Sequence, residues 1–196
     1  MGDVLKAVAF YSALSLLPVA ISACSPNPAN LLKAYQEAHN SHDVERALSL
    51  MTDDVTFRLA GTGVKEGKEQ VRWIEEWDAA VNSHLTFADI KVKGHMVICK
   101  VIEKNDLFKL YGIEEVHYTL ATFIFHDGLI KEITIEPSQK SVREIDEIRH
   151  SFIEWATQER GQQLEALRTE GKFIYSAENA SLWLALLEEW REQTKP

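Results

Sequence analysis

The sequence predicts an α+β fold, a curved antiparallel sheet wrapped around three N-terminal helices, with a two-helix extension at the C-terminus. Three observations predict it. Two β-branched and aromatic runs, residues 116–125 and 129–136, flank His126-Asp127-Gly128, and Asp-Gly is a strong hairpin signal. In the first run the odd positions are His117, Thr119, Ala121, Phe123 and Phe125, and the even ones Tyr118, Leu120, Thr122, Ile124 and His126. Both faces therefore carry apolar side chains, and both need a cover. Helical periodicity lies before and after the strand runs, where it can supply those covers.

The elements follow in order. Leu31, Leu32, Tyr35, Ala38 and His39 recur at helical spacing until Asn40-Ser41-His42-Asp43 breaks the run. Asp43 is placed to cap a second helix carrying Val44, Ala47, Leu48 and Met51. Thr52-Asp53-Asp54 reads as the turn that ends it, with one carboxylate bonding backbone amides, and residues 55–59 alternate as a strand. After Gly67 a third helix runs to about Asn82, its stripe made of Val71, Ile74, Trp77 or Asp78, and Val81. Strands at 85–93 and 95–103 turn around Gly94, and a polar loop, 104–114, leads to the hairpin. Beyond Ser138, Ser141-Val-Arg-Glu144 matches a capping box before an apolar stripe through Ile145, Phe152 and Trp155. Ser176 caps a last helix with Leu182, Trp183, Leu186, Leu187 and Trp190. These stripes are expected on the outer, even face of the hairpin near Tyr118, Leu120 and Ile124; a lid over the sheet's concave side and a partner-binding surface are the other placements.

The net charge of -9 sets nucleic-acid binding aside, because a phosphate-binding protein needs a basic face. Residues 7–23 form an uncharged apolar run after Lys6, ending in Ile21-Ser22-Ala23-Cys24. That is the pattern of a secretory signal, too short for a comfortable membrane span. Its end resembles a bacterial lipoprotein box, which implies lipidation at Cys24, a tether over 24–30, and an exported protein anchored to a bacterial membrane, in the periplasm or at the outer surface. The other cysteine, Cys99, is read as a small buried hydrophobe.

The segments Tyr35-Gln-Glu-Ala-His-Asn-Ser-His-Asp43, Met51-Thr-Asp-Asp-Val-Thr-Phe57, Glu66-Gly-Lys-Glu-Gln-Val71 and Phe123-Ile-Phe-His-Asp-Gly-Leu-Ile130 resemble the nuclear transport factor 2-like superfamily, especially its SnoaL-like and ketosteroid-isomerase-like branches. The resemblance covers 31–138 and implies a cystatin-like cone with an apolar pocket, and a homodimer paired through the sheet. Carried over residue by residue, it places the isomerases' oxyanion-binding tyrosine at Tyr35, their base at Leu59 and their protonated aspartate at Ala121. Leucine and alanine cannot move protons, so that chemistry in that form is excluded.

The leading expectation is a membrane-tethered module holding a small apolar molecule, without catalysis. Its pocket is expected to be lined by Tyr35, Val55, Phe57, Leu59, Ile74, Trp77, His117, Ala121, Phe123 and Ile133. The alternatives are an isomerase, cyclase or dehydratase with Tyr35 and His117 as donor and base, and a scaffold using the C-terminal helices. No cofactor and no metal site is expected, since His39, His42 and Asp43 straddle a helix break without a ligand spacing. Trp73 and Trp77, four apart on one helix, are read as core.

Overall fold

The computed structural model describes residues 27–60 and 63–194, so Cys24 and the apolar run before it lie outside the described residues. Helix α1 (Pro28–Asn40) starts with proline at its first position and Asn27 as its cap, the Asn27 side chain accepting from the Ala29 amide at 2.9 Å. Asp43 caps α2 (Val44–Ser49), accepting from the Arg46 amide at 3.0 Å, as its sequence position requires. Asp53 and Asp54 do not form a turn. They lie inside strand β1 (Met51–Leu59), where Asp53 meets Lys68 at 3.0 Å and Asp54 pairs with Lys131, so cation pairing on an exposed strand replaces the expected amide capping.

A short strand β2 (Gly63–Glu66) pairs antiparallel with β1 and precedes α3 (Lys68–Ala80). Strands β3 (His84–Lys93) and β4 (Met96–Lys104) form the next hairpin. The loop expected over 104–114 holds a helix, α4 (Asp106–Tyr111), capped by Asn105, whose side chain accepts from the Phe108 amide at 2.7 Å. Strands β5 (Val116–His126) and β6 (Leu129–Pro137) close the central hairpin through Asp127 (φ 50°) and Gly128 (φ 77°), the two left-handed residues of its tight turn.

The six strands run β2-β1-β6-β5-β4-β3. Every ladder is antiparallel except β1 with β6, which is parallel. Register shifts interrupt four of the five ladders, and such bulges bend a sheet. The concave face closes over α1 and α3, burying Leu32, Val71, Val55, Val97, Val101, Phe123 and Ile133 completely or nearly so.

One bulge decides which side chains enter the concavity. In β5 an extra residue sits between Tyr118 and Leu120, against Pro137 and Glu136 of β6. The alternation changes phase there: Val116 and Tyr118 are buried before it, Ala121, Phe123 and Phe125 after it. His117 therefore faces out and Tyr118 in, the reverse of unbroken parity.

The extension consists of α5 (Gln139–Glu159), α6 (Gly161–Ala166), a small hairpin of β7 (Arg168–Thr169) and β8 (Lys172–Phe173), and α7 (Ala177–Thr194). Ser138 rather than Ser141 caps α5, its hydroxyl accepting from the Ser141 amide at 3.0 Å, while Ser141 is buried within the first turn. Ser176 caps α7 by accepting from the Asn179 amide at 3.2 Å. Phe152 is fully buried among the rings of Trp155, Trp183 and Trp190, at 6.1, 5.0 and 5.7 Å. Helix α7 packs on α3 and α4, not on the outer face of the hairpin, where Leu120 stays 37% exposed. The reason is the apolar surface those two helices offer, Trp77 from one and Phe108 and Tyr111 from the other. Arg191 fixes the contact by donating to the carbonyls of Lys109 (3.1 Å) and Leu110 (2.8 Å) at the end of α4.

Candidate active site

Polar side chains interrupt the apolar faces that meet inside the sheet. Tyr35 and His39, four apart, come from the buried side of α1, and Glu75 and Asp78, three apart, from that of α3. Ser83 follows α3, Glu103 ends the inward face of β4 after Val97, Cys99 and Val101, and Tyr118 is turned in by the β5 bulge. All but Asp78, which is partly buried, are nearly or fully removed from solvent.

All of them except Asp78 form one hydrogen-bonded chain. The Tyr35 hydroxyl donates to Glu75 Oε1 at 2.8 Å, and Glu75 Oε2 lies 3.1 Å from His39 Nδ1. His39 Nε2 lies 3.3 Å from Ser83 Oγ, which donates to Glu103 Oε1 at 3.0 Å. Asn105 donates to the same oxygen at 2.7 Å, and the Tyr118 hydroxyl donates to Glu103 Oε2 at 2.6 Å.

The pattern fixes protons. Ser83 gives its one proton to Glu103, so it accepts from His39 Nε2, while the carboxylate of Glu75 accepts from Nδ1. Both ring nitrogens donate, and His39 is an imidazolium. Burial alone would lower its pKa, but the Glu75 hydrogen bond and charge, with Asp78 and Glu103 further off, outweigh burial and push it up to about 9. Burial and the Glu75 carboxylate raise Tyr35 well above the usual phenol range, and burial and Glu103 do the same to Tyr118.

Asp78 differs from the other two carboxyls. Its carbonyl accepts from the Ser83 amide at 2.8 Å, but its carboxyl makes no hydrogen bond or ion pair among the described residues. Burial first, then the charge of Glu103, hold its carboxyl well above the ordinary carboxylate range, against the opposing pull of His39. A carboxyl held toward its neutral form can donate a proton or a hydrogen bond, which neither saturated glutamate can do. Among the described residues no group of His, Cys, Asp and Glu has the arrangement of a metal site.

Solved structures share this architecture. One from Kribbella flavida DSM 17836 superposes with a TM-score of 0.53 at 13% identity, covering 64% of this chain and 95% of its own. SalBIII, described as an epoxide hydrolase/cyclase-like enzyme in pyran ring formation in polyether salinomycin, gives 0.52 at 14%, covering 58% and 92%. TerC, solved with polyporic acid, gives 0.51 at 15%, covering 61% and 98%. The chain shares with these structures a mixed α+β fold, a curved sheet of six strands closed over helices. No family model matches the chain. No curated protein matches it either.

Within the cone, the residues expected to line a pocket are mostly its packing. Val55, Phe57, Trp77, Ala121, Phe123 and Ile133 are buried, and Leu59 and Ile74 are partly so. The ring of Tyr35 packs against Phe123 at 6.0 Å and Phe87 at 6.5 Å. Tyr35 and His117 are not brought together: the His117 side chain is 52% exposed, on the opposite face of β5 from Tyr118, and pairs with Glu115 at 2.9 Å. Trp73 is 46% exposed while Trp77 is core, so only one of the two expected core tryptophans is inside. Cys99 is buried in the sheet, and burial pushes its thiol up to about 12.

The sequence reading missed His39, Glu75, Asp78, Ser83, Glu103 and Tyr118 as one group. A signal existed for two of them. Glu75 and Asp78 occupy the same helical stripe as Val71 and Val81, and a carboxylate on an apolar stripe requires a buried partner or a shifted pKa.

Proposed function

We propose that the cone binds a small, mostly apolar molecule and that Asp78 moves a proton on it, in an isomerisation, cyclisation or dehydration. The observation supporting this is the unpartnered, partly accessible Asp78 carboxyl beside a chain whose other carboxylates are saturated. Glu103 acts as a positioning residue, since its fixed charge disfavours ionisation of Asp78 and keeps the proton available. Tyr35, Glu75 and His39 hold the frame. The sequence pattern at Cys24 supports a lipid tether that sets the cone at a membrane surface.

The test begins with the proton. Carbon NMR of protein labelled at aspartate carboxyls, with Asp78→Asn for assignment, is expected to find Asp78 titrating well above the ordinary carboxylate range. Titration near the ordinary value of about 3.9 would refute the reading. Cyclic ketones and enones screened by thermal shift then provide ligands, and solvent deuterium entering a bound ketone, lost in Asp78→Asn, reports the chemistry. A second reading, binding without turnover, is favoured by the closure of the Tyr35-to-Tyr118 chain on itself. In that case ligands bind the wild type without exchange, and Asp78→Asn weakens binding alone.

A further inference from the structure

The segment joining α6 to α7, residues 167–176, lies against α3 where it carries Asp78. Phe173 and Tyr175 meet the Trp77 ring edge-on, at 5.4 Å and 5.3 Å, and meet each other at 5.1 Å. From the other side the Lys65 ammonium, in β2, stands 5.4 Å from the centre of the Tyr175 ring. Burial raises the Tyr175 phenol against the opposing charge of Arg149, and Asp78 stands close enough that its ionisation would raise it further. The segment thus packs on Trp77, the residue before Asp78 in α3, and reaches β2 at the edge of the main sheet.

Its fastening is local. Strands β7 and β8 pair only with each other, outside the six-stranded sheet. The Ile174 amide donates to the Leu167 carbonyl at 3.1 Å, and Asn179 donates to the carbonyls of Leu167 (3.2 Å) and Ile174 (2.8 Å). A strap held by its own turn and by ring contacts opens at a lower cost than a strand in the main sheet.

We propose that this strap is the outer wall of the Asp78 site, and that Phe173 and Tyr175 select small, uncharged, apolar molecules and hold back bulk water. The inference rests on Asp78 being the functional group of the cone. Its chemistry suits that role: the rings of Phe173 and Tyr175 offer apolar edges beside Trp77, and the fixed charges acting on Asp78, the carboxylates of Glu103 and Glu75 and the imidazolium of His39, sum to one negative charge, which disfavours an anion.

Access is measurable without knowing the ligand. The full chain is treated with a water-soluble carbodiimide and glycinamide, and peptides carrying Asp78 and the exposed Asp127 are followed by mass spectrometry. Phe173→Ala and Tyr175→Ala are expected to raise the rate at Asp78 severalfold and leave Asp127 unchanged. An unchanged Asp78 rate in variants with native circular dichroism overturns the proposal, as does a wild-type Asp78 that reacts as fast as Asp127. If the alanine variants do not fold, Phe173→Leu decides, with a smaller rise expected and no rise overturning. The labelling reads access alone, so an accessible-on-opening Asp78 whose Asn variant retains full chemistry would remove the proton-transfer reading and leave the wall standing.

Discussion

Replacing Glu75 by glutamine removes the charge that holds His39 as an imidazolium while keeping the shape of the side chain. In the wild type the His39 pKa rises from 6.5 to about 9, so the folded state binds this proton more tightly than the unfolded chain does. Stability from the pair is fully present below about pH 6.5 and is lost as pH climbs through about 9. At about 1.36 kcal/mol per unit, the span corresponds to about 3 kcal/mol. Glutamine can still accept from the Tyr35 hydroxyl and donate to a neutral His39 Nδ1, so the destabilisation by Glu75→Gln is expected to be about 3 kcal/mol near pH 6 and to shrink toward zero near pH 9.5. The assay is urea unfolding of both proteins across that range. The raised pKa of the Cys99 thiol, set by burial alone, is common to both proteins and cancels in the difference between the two curves. A difference that stays constant with pH would refute the assignment of His39 as the charged partner, whatever its size.

Three other outcomes follow from the same structure. Phe152→Ala is expected to cost about 3–5 kcal/mol in urea unfolding, since it empties a fully buried site between three tryptophan rings. A loss under about 1 kcal/mol would mean that the extension does not unfold with the cone. His117→Ala is expected to change stability by less than about 0.5 kcal/mol, because its pair with Glu115 is half-exposed and screened; a larger loss, or any loss of chemistry on a ligand, would return His117 to the site. Cys24→Ser is expected to abolish incorporation of an alkyne-tagged fatty acid and to move the protein out of the membrane fraction, and unchanged labelling would refute the tether.

The α+β order was legible because its signals are local. The Asp127-Gly128 turn, the Asp43 cap and the period of the α3 stripe each depend on a few neighbouring residues. The site was not legible, for two physical reasons. A β-bulge is a feature of pairing between strands, and nothing in residues 116–126 announces that parity changes at Leu120, so Tyr118 and His117 were assigned to each other's faces. The placement of the extension likewise depended on which helix left apolar surface uncovered, a question of three-dimensional packing.

The polar chain itself sits between these cases. Each member taken singly had an ordinary explanation: a tyrosine packing its ring, a histidine near a helix end, a glutamate closing a strand. What makes them one object is that no member can be buried alone. Glu75 needs a cation, the only cation inside the cone among the described residues is His39, and His39 can donate from its second nitrogen because Ser83 passes its own proton to Glu103. Asp78 stands beside this chain with no acceptor or donor committed to it, and a buried carboxyl without a partner avoids the desolvation cost by keeping its proton. The same burial that builds the core therefore leaves one acid in it ready to be used.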